Sequence, residues 1–382
     1  MRFGRIIVFC SLLASLACGA WGQSASWGLW NAYSTRFIDN QGRVIDYQRG
    51  DLTTSEGESY ALFFALVAND RTRFGQILAW TRNNLADGDL TTHSPGWKWG
   101  KAPNGQWELL DPHTAADADL WICYDLAEAG RLWHEPRYTA LARIMAERIA
   151  HVEVANLPGF GPMVLPGDAG FHPSRDIWLL NPSYVPLPVI QRLAVLNPSG
   201  PWAAIALRLP AFLRRSSPRG FAMDWVSYSP TGGFLPAGQP GPKGQPIAKP
   251  KGSFDAIRVY LWAGLSNPAA PESRADLAAV GGMAAWLDQH LFPPETVSAS
   301  GIPGKTDGPV GYSAAVIPYL TGLGKKSGTQ EDRLEAQLDP ATKLYGRPPA
   351  YYDQNLAMFA KGWQSHRFRF SGDGELIVPW TH

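Results

Sequence analysis

The sequence predicts an all-α fold in which antiparallel helical hairpins are arranged in a ring. Apolar residues recur at helical spacing in paired segments, such as 55–69 and 71–85, and the tight Asn69-Asp70 turn joins this pair. The same succession of helix, turn, helix and long loop recurs roughly five or six times, with little strand-like alternation. In such a ring the helix starts of one layer gather around a central cleft, so polar residues in first turns are the candidate functional groups.

The composition and the N-terminus limit the class of protein. The chain has 382 residues, a net charge of +1 and 18% charged residues, which gives no indication of a nucleic-acid partner. Residues 1–22 combine a basic start, a short apolar run and small residues, and predict a signal peptide before a single domain at 23–382. Cys18 leaves a lipid anchor open, although Ser15 is a poor lipobox residue. We therefore expect a periplasmic or secreted protein with no membrane segment after signal cleavage.

The first predicted helix begins with two acidic residues in its first turn. Ser55 and Glu58 have the spacing of a capping box, in which the serine closes the helix start and the glutamate reaches back. This interpretation leaves Glu56 without a structural role, close to aromatic residues that can raise the pKa of a carboxylate for proton donation. The alternative is that Glu56 only adds favourable charge at a helix N-terminus.

Tryptophans are concentrated after the first hairpin. The segment 87–111 is predicted as a long irregular loop among Gly, Pro, Lys and Asn residues, and loops of this length in a compact domain are usually functional. Aromatic faces can stack on sugar rings, although tryptophans more often fill cores. The candidate sugar-binding tryptophans are Trp97, Trp99, Trp107 and, on the following helix, Trp121.

The helical segment 111–133 carries two interleaved aspartates, with Thr114 as its predicted cap. Asp117 and Asp119 are two residues apart, which corresponds to roughly 200° of rotation on a helix. Only one of them can face a cleft, and the other must cap, pair or meet solvent.

The later segments continue the helical pattern. Ser253 is a predicted cap, so Asp255 lies in a first turn as Glu56 does, and this shared placement predicts that the two carboxylates converge with Asp117. Further helices are predicted at 136–154, 189–195, 201–215, 253–265, 271–291, 310–323 and 351–362. Loops are predicted at 157–188 and 232–252, and the alternation in 366–380 predicts a terminal hairpin.

Several kinds of chemistry lack their motifs. The sequence has no Gly-rich phosphate loop, no GxSxG elbow, and no HExxH or CxxC spacing, so we expect neither a metal nor a cofactor. Carboxylates remain as the candidate catalytic groups. Two carboxylates can hydrolyse a glycosidic bond, and inverting enzymes hold them about 6.5–9.5 Å apart to admit a water.

Five segments together resemble glycoside hydrolase family 8. They are TTSEGESYAL, AADADLW, LAEAGRLW, SFDAIRVYLW and AYYDQNLAMF, in the order in which that family has them, and the resemblance runs from about residue 27 to residue 380. It implies an (α/α)6 barrel that hydrolyses β-1,4-glucan internally with inversion. The chain is most similar to the subgroup associated with bacterial cellulose synthesis.

The resemblance also implies roles for individual residues. Glu56 matches the general acid, Asp255 the general base, and Asp117 the residue that grips and distorts the sugar at the cleavage point. Arg258, three residues after Asp255, falls on the same helix face and could hold the base or the water. One of Tyr351 and Tyr352 matches a tyrosine that orients the water, and we favour Tyr352.

Glu58, in the same first turn, is the alternative to Glu56 as the general acid. The match to the family is incomplete at two positions. Ala116 stands where the family usually has Ser or Thr, and Asp125 stands where it usually has a small residue. These departures bear on the sugar contacts rather than on the acid and the base.

Other functions stay open at this point. A polysaccharide lyase on a similar ring would need cationic groups around a uronate carboxylate, which the neutral net charge disfavours. A non-catalytic glucan-binding protein would use the tryptophans alone. Within the family, xylan, chitosan and mixed-linkage glucan are alternative substrates. We expect a monomer whose partners are a β-1,4-glucan chain and, through the subgroup, the cellulose synthase complex.

Overall fold

A computed structural model describes residues 27–241 and 245–381 of the chain. The predicted signal peptide at 1–22 lies outside the described residues. Within the described ranges the helices are α1 (Gly28–Phe37), α2 (Ser55–Val67), α3 (Arg71–Leu85), α4 (Ala116–Leu132), α5 (Pro136–Val152), α6 (Leu187–Leu196), α7 (Trp202–Ser216), α8 (Ala256–Leu265), α9 (Pro271–Ala279), α10 (Gly282–Leu287), α11 (Val310–Gly322), α12 (Gly328–Ala336) and α13 (Tyr351–Gln364).

Six of these helices form an inner ring, and six others pack outside it. The inner helices are α2, α4, α6, α8, α11 and α13, whose outer partners are α3, α5, α7, α9, α12 and α1. The inner helices α2, α8 and α11 are buried almost all round, as expected for helices that are apolar on every face. This arrangement confirms the predicted (α/α)6 barrel of antiparallel hairpins.

Aromatic side chains fill the centre of the barrel. Phe359 of α13 lies 5.2 Å from Tyr60 of α2, 5.4 Å from Trp121 of α4 and 5.0 Å from Trp262 of α8, measured between ring centroids. These edge and tilted contacts join four inner helices beneath the helix starts. Trp121 is 1% exposed, so its prediction as a sugar-binding residue is wrong: its ring is enclosed by other aromatic rings.

Short strands occur in the connections between helices. In the described residues they are β1 (Thr53–Thr54), β2 (Gly96–Lys101), β3 (Trp107–Thr114), β4 (Val154–Leu157), β5 (Gly161–Val164), β6 (Trp178–Leu180), β7 (Trp225–Ser229), β8 (Gly233–Ala237), β9 (Lys251–Gly252), β10 (Val297–Ser298), β11 (Arg369–Phe370) and β12 (Leu376–Ile377). The antiparallel pair β11–β12 confirms the predicted terminal hairpin.

The segment predicted as an irregular loop at 87–111 is instead largely a β-hairpin. Strands β2 and β3 pair antiparallel, and β1 adds a third strand beside β2. Register shifts after Gly96 and after Lys98 interrupt the alternation, which hides the strands in the sequence. Because β3 runs to Thr114 and α4 begins at Ala116, Thr114 is not the helix cap that was predicted.

Other predicted bounds differ where tertiary contacts act. The single helix predicted at 271–291 is broken into α9 and α10, because Gly282 packs against the backbone of Arg219 and Gly220 with no room for a side chain. Helices α1 and α12 were not predicted. The predicted loop at 232–252 contains β8 and β9. No helix of the described chain has both the length and the apolar character needed to cross a membrane.

Candidate active site

The start of α2 presents Glu56 through a different cap from the one predicted. Thr54 is the cap residue, and its hydroxyl accepts a hydrogen bond from the Gly57 N–H at 3.1 Å. Glu58 is fully buried and accepts from the Val44 N–H at 2.8 Å and from the Thr81 hydroxyl at 3.3 Å. The predicted capping box is therefore wrong, but Glu58 is still engaged in structure and Glu56 is left free in the first turn.

The start of α8 presents Asp255 through a residue that sequence reasoning missed. Asp224, which lies just before β7, accepts from the backbone N–H groups of Ser253 and Ala256 at 2.6 and 2.9 Å and from the Ser253 hydroxyl. It satisfies the free donors that a helix start exposes. Ser253 is thus a donor to this acceptor and not the cap, and Asp255 occupies the cap position with its side chain free for other contacts.

Arg258 joins the three predicted carboxylates. Its guanidinium nitrogens lie 3.0 Å from Glu56 Oε2, 3.2 Å from Asp255 Oδ1 and 3.7 Å from Asp117 Oδ2. The Arg258 side chain is 3% exposed. Burial opposes its charge, yet Glu56 and neighbouring groups outweigh that effect and raise the pKa of Arg258. The planar fork of arginine suits this role, because it meets several carboxylates in fixed directions.

Asp117 and Asp119 point to different places, as their spacing predicts. Asp117 is buried beside Arg258 and accepts from the Ala118 N–H at 2.9 Å, whereas Asp119 lies in the interior near Glu153. Burial, followed by the negative charge of Glu56 and a hydrogen bond with its side chain, raises the pKa of Asp117 well above its usual range. The protonated form of Asp117 is therefore favoured beside Glu56.

The turn between β6 and α6 supplies three further site residues. The Asn181 side chain donates its Nδ2–H to Asp255 Oδ2 at 3.0 Å, and its Oδ1 accepts from the Ser183 hydroxyl at 2.7 Å. The Ser183 hydroxyl also accepts from Arg258 at 3.0 Å. The Tyr184 ring centroid lies 5.8 Å from the Arg258 guanidinium carbon. The run Asn-Pro-Ser-Tyr was visible in the sequence, but only the tertiary fold brings it to α8.

The two candidate tyrosines, Tyr351 and Tyr352, lie in different surroundings. Tyr352 donates its hydroxyl to the Phe254 carbonyl, and Arg258, Glu56 and Asp255 are near enough to act on its pKa, which burial raises. Tyr351 is 6% exposed and packs on Phe37 in the core, and its hydroxyl leaves no room for a side chain at Gly57. The structure thus places Tyr352 at the site and removes Tyr351 from it.

Trp99 and Trp107 of the β2–β3 hairpin form an aromatic group, and Trp97 lies on the same hairpin outside it. The ring centroids of Trp99 and Trp107 are 5.3 Å apart, with 18° between the ring planes, so the two rings stack. Trp99 also makes an edge contact with Trp80. The Arg43 guanidinium lies 4.4 Å from the Trp99 centroid and 4.6 Å from that of Trp107. Trp107 is 42% exposed, and Trp97 is partly exposed. Trp99 pairs with Thr53 of β1, three residues before Glu56, so the hairpin lies next to the start of α2.

The arrangement can transfer protons at two places around one bond. Glu56 and Asp255 have side chains 23% and 27% exposed, whereas Asp117 and Arg258 are enclosed. Two accessible carboxylates held on one guanidinium can act on opposite sides of a bound glycosidic link. In the described residues no group of three or more His, Cys, Asp and Glu side chains has metal-binding geometry.

The chain is similar to known proteins over nearly its whole length. The chain matches the model of glycosyl hydrolases family 8 over residues 5–366. It is 42% identical over 383 residues to an endoglucanase of Xanthomonas axonopodis pv. citri (strain 306), which covers 100% of this chain and 96% of the relative. It is 38% identical over 378 residues to an endoglucanase of Escherichia coli (strain K12), covering 98% and 96%.

The fold is also similar to a solved structure. The crystal structure of an endo-1,4-D-glucanase from Vibrio fischeri ES114 superposes with a TM-score of 0.84 at 37% identity, covering 94% of this chain and 100% of that one. The barrel, the arginine-bridged carboxylates and these relatives lead to one conclusion: the chain belongs to glycosyl hydrolase family 8 and is a glycoside hydrolase.

Proposed function

We propose that the enzyme is an endo-acting β-1,4-glucanase that inverts the configuration at the cleaved bond. The observation that carries this proposal is the single Arg258 guanidinium contacting Glu56, Asp117 and Asp255 at 3.0, 3.7 and 3.2 Å. The substrate class is supported by the relatives, which are named endoglucanases at 42% and 38% identity.

Glu56 is the proton donor in this proposal, and Asp117 helps to supply the proton. Burial and the charge of Glu56 raise the pKa of Asp117, which favours the protonated form of Asp117. Of the two, only Glu56 is exposed enough to reach a glycosidic oxygen. Asp117 thus stores the proton in the interior, and Glu56 delivers it to the departing sugar oxygen.

Asp255 is the base that activates a water. Arg258 contacts one of its oxygens and Asn181 the other, so the carboxylate is fixed in orientation. Tyr352, whose hydroxyl donates to the carbonyl of the residue preceding Asp255, would line the same space. Trp97, Trp99 and Trp107 would stack on sugars of the bound chain.

The test compares Glu56→Gln and Asp255→Asn with the wild type on carboxymethylcellulose. Each substitution removes proton transfer at nearly constant shape, so we expect the release of reducing ends to fall about 10²–10⁴-fold while oligosaccharide binding is retained. Asp332→Asn, at an exposed position of α12, is the matched control. Activity retained by both site variants would contradict these roles, and a wild type that binds glucan without releasing reducing ends would indicate a binding protein.

Stereochemistry and substrate range need separate measurements. Proton NMR of the first product should show the α anomer from a β-linked glucan, because one displacement by water inverts the centre. A β anomer would contradict the base role of Asp255. The same assay on xylan, chitosan and mixed-linkage glucan would decide among the alternative specificities, and an ultraviolet-absorbing unsaturated product would instead indicate a lyase.

A role in bacterial cellulose synthesis follows from the subgroup resemblance and belongs to the proposal. In that role the enzyme would be exported by its N-terminal signal and would trim the emerging glucan beside the synthase complex as a monomer. A deletion strain should make cellulose of altered yield or fibre order, and unchanged cellulose would contradict the role. Fractionation of cells tests the periplasmic location, and light scattering tests the oligomeric state.

A further inference from the structure

Two carboxyl groups behind the active site lie together in the interior with too few hydrogen-bond donors. Asp119 of α4 and Glu153, at the end of α5, are 0% and 1% exposed. Neither carboxyl oxygen of Asp119 nor Oε2 of Glu153 makes a hydrogen bond of good geometry within the described residues. The Ser94 hydroxyl, which accepts from Arg148 Nε at 3.1 Å, lies near enough to Asp119 to lower its pKa. The two side chains are nevertheless in hydrogen-bonding proximity to each other. Two facing acceptors need a proton between them, because buried charges without partners are costly.

The other oxygen of Glu153 is tied to the start of α4. The Thr114 hydroxyl donates to Glu153 Oε1. Thr114 also accepts from the Asp168 N–H at 3.0 Å, and its own N–H donates to Asp168 Oδ1 at 3.1 Å. Helix α4 has no side-chain cap, and the Ala116 N–H donates to the Pro166 carbonyl at 2.9 Å. The segment that carries Asp117 is therefore held by the 165–168 loop and by Glu153.

We propose that Asp119 and Glu153 are positioning residues that share a proton behind the active site and thereby hold the start of α4, and with it Asp117, in place. Asp119 fixes the helix from within its first turn, and Glu153 connects that turn to Thr114. Neither residue contacts the cleft. The inference rests on the proposed function, since Asp117 matters here as the partner of the proton donor Glu56.

The surrounding charges determine how this pair titrates. Burial raises the pKa of Asp119 to about 7, with Arg148 of α5 opposing the rise. Burial, then the charge of Asp119, raises the pKa of Glu153 well above its usual range. Asp168 adds further negative charge from the loop, and His113 Nδ1 lies 3.2 Å from Asp168 Oδ1. Because both pKa values are raised, the pair holds a proton to a higher pH than exposed carboxyl groups do and loses it as the pH rises.

Loss of that proton should disturb catalysis. Two ionised carboxylates in the interior repel each other, and the Thr114 connection to Glu153 is the nearest contact that can give way. We therefore expect an alkaline limb in the kcat profile that belongs to this pair. KM should change less, because Trp97 and Trp99 are on β2 and Trp107 lies at the opposite end of β3 from Thr114.

The experiment replaces the shared proton by a permanent donor. In Glu153→Gln the amide N–H donates to Asp119 and the amide oxygen still accepts from Thr114. We expect kcat on carboxymethylcellulose at pH 6–7 within about twofold of the wild type and an alkaline limb displaced by about one pH unit or abolished. Glu153→Ala, which removes the connection, should lower kcat about tenfold with KM nearly unchanged. Glu147→Gln, at an exposed position of α5, is the matched control and should behave as the wild type.

Two outcomes would overturn the proposal. One is a wild-type alkaline limb in the Glu153→Gln enzyme, and the other is an unaltered kcat in Glu153→Ala. If Glu153→Ala does not fold, Asp119→Asn provides the equivalent test from α4, and the alkaline limb of its kcat profile must also shift. Thermal unfolding against pH tests the pair without activity: the decrease in stability with rising pH should be smaller in Glu153→Gln. A wild-type enzyme that is inactive on glucan would contradict the proposed function. The unfolding measurement would then still test the Asp119–Glu153 pair.

Discussion

At the scale of single residues, Arg258 is the group on which the site depends. The buried Arg258 guanidinium contacts three carboxylates, and its planar fork orients two of them, Glu56 and Asp255, toward the cleft. Arginine therefore serves both stability and geometry here, since removing it would leave buried negative charge without a partner.

Arg258→Lys should reveal this geometric role. Lysine keeps the positive charge but provides a single nitrogen in place of the fork, so Glu56 and Asp255 cannot both be held. We expect kcat to fall about 10²-fold with a modest decrease in Tm. Arg143→Lys, at an exposed position of α5, should change neither value. A wild-type kcat in Arg258→Lys would show that charge alone suffices.

The tryptophans can be sorted by exposure. Trp107→Ala should raise KM for glucan about 3–10-fold with little loss of stability, because it removes an exposed face that can stack on sugar. Trp121→Ala should instead destabilise the fold by about 3–5 kcal/mol, because it empties part of the core. Steady-state kinetics and urea unfolding of both variants measure the contrast. Equal effects on KM would contradict the assignment of Trp107 to the cleft and Trp121 to the core.

At the scale of elements, helix starts organise the site, and the residues that hold them come from elsewhere in the chain. Thr54 holds α2 locally, Asp224 holds α8 from 32 residues before Ala256, and Pro166 and Glu153 hold the start of α4. At α2 and α8 these contacts satisfy exposed N–H donors without using Glu56 or Asp255, whereas at α4 Asp117 itself accepts from the Ala118 N–H. Glu56 and Asp255 are thereby free for chemistry.

Asp224→Ala should show what this support contributes. Three donors at the start of α8 would lose their acceptor, so we expect a loss of stability of about 1–2 kcal/mol and a kcat about tenfold lower because Asp255 shifts. Asp224→Asn keeps an acceptor oxygen and should restore most of both. Urea unfolding and kcat measure the two effects. If Asp224→Ala keeps full activity, Asp255 is positioned by Asn181 and Arg258 alone.

At the scale of elements, the sequence predicts the helices better than the contacts that hold their starts. Helix α3 was predicted at the bounds it has, and the convergence of the three acidic first turns followed from their shared placement after long loops. The capping box failed because the partners of Glu58 are Val44 and Thr81, which local spacing cannot reveal. Asp224 and Asn181 were missed for the same reason: their roles exist only once distant segments pack together.

The β2–β3 hairpin shows a different limit. Its strands carry glycine and proline, and two register shifts break the alternation that identifies a strand. Pairing with β1 stabilises it, and that pairing is a tertiary contact. Sequence reasoning thus located the tryptophan-rich segment but assigned the wrong backbone to it.

At the scale of the whole molecule, the barrel buries many carboxyl groups whose pKa values are raised. Burial raises the pKa of Asp353 to about 6 and that of Asp119 to about 7, and it raises those of Glu58, Asp125 and Asp276 well above their usual range. The folded state therefore binds more protons than the unfolded chain. The stability that these groups contribute is fully present below their unfolded pKa values near 4 and is lost as the pH rises through the folded ones.

We accordingly expect a higher Tm at pH 5 than at pH 8. Circular dichroism melts across this range measure the slope. Asp125→Asn should reduce that slope, because Asp125 is fully buried, neither of its oxygens has a hydrogen-bond partner in the described chain, and Glu128 adds to the rise in its pKa. Greater stability at pH 8 than at pH 5 would show that the buried carboxyl groups are not protonated in the fold.

The most direct measurement of the central claim is the dependence of Glu56→Gln and Asp255→Asn on the leaving group. Aryl β-cello-oligosaccharides with a dinitrophenolate leaving group need no proton from an acid, whereas glucan does. If Glu56 is the proton donor and Asp255 the base, Glu56→Gln should lose glucan cleavage about 10²–10⁴-fold yet keep nearly wild-type kcat on the dinitrophenyl substrate, and Asp255→Asn should lose both. Equal losses of Glu56→Gln on the two substrates would contradict the account.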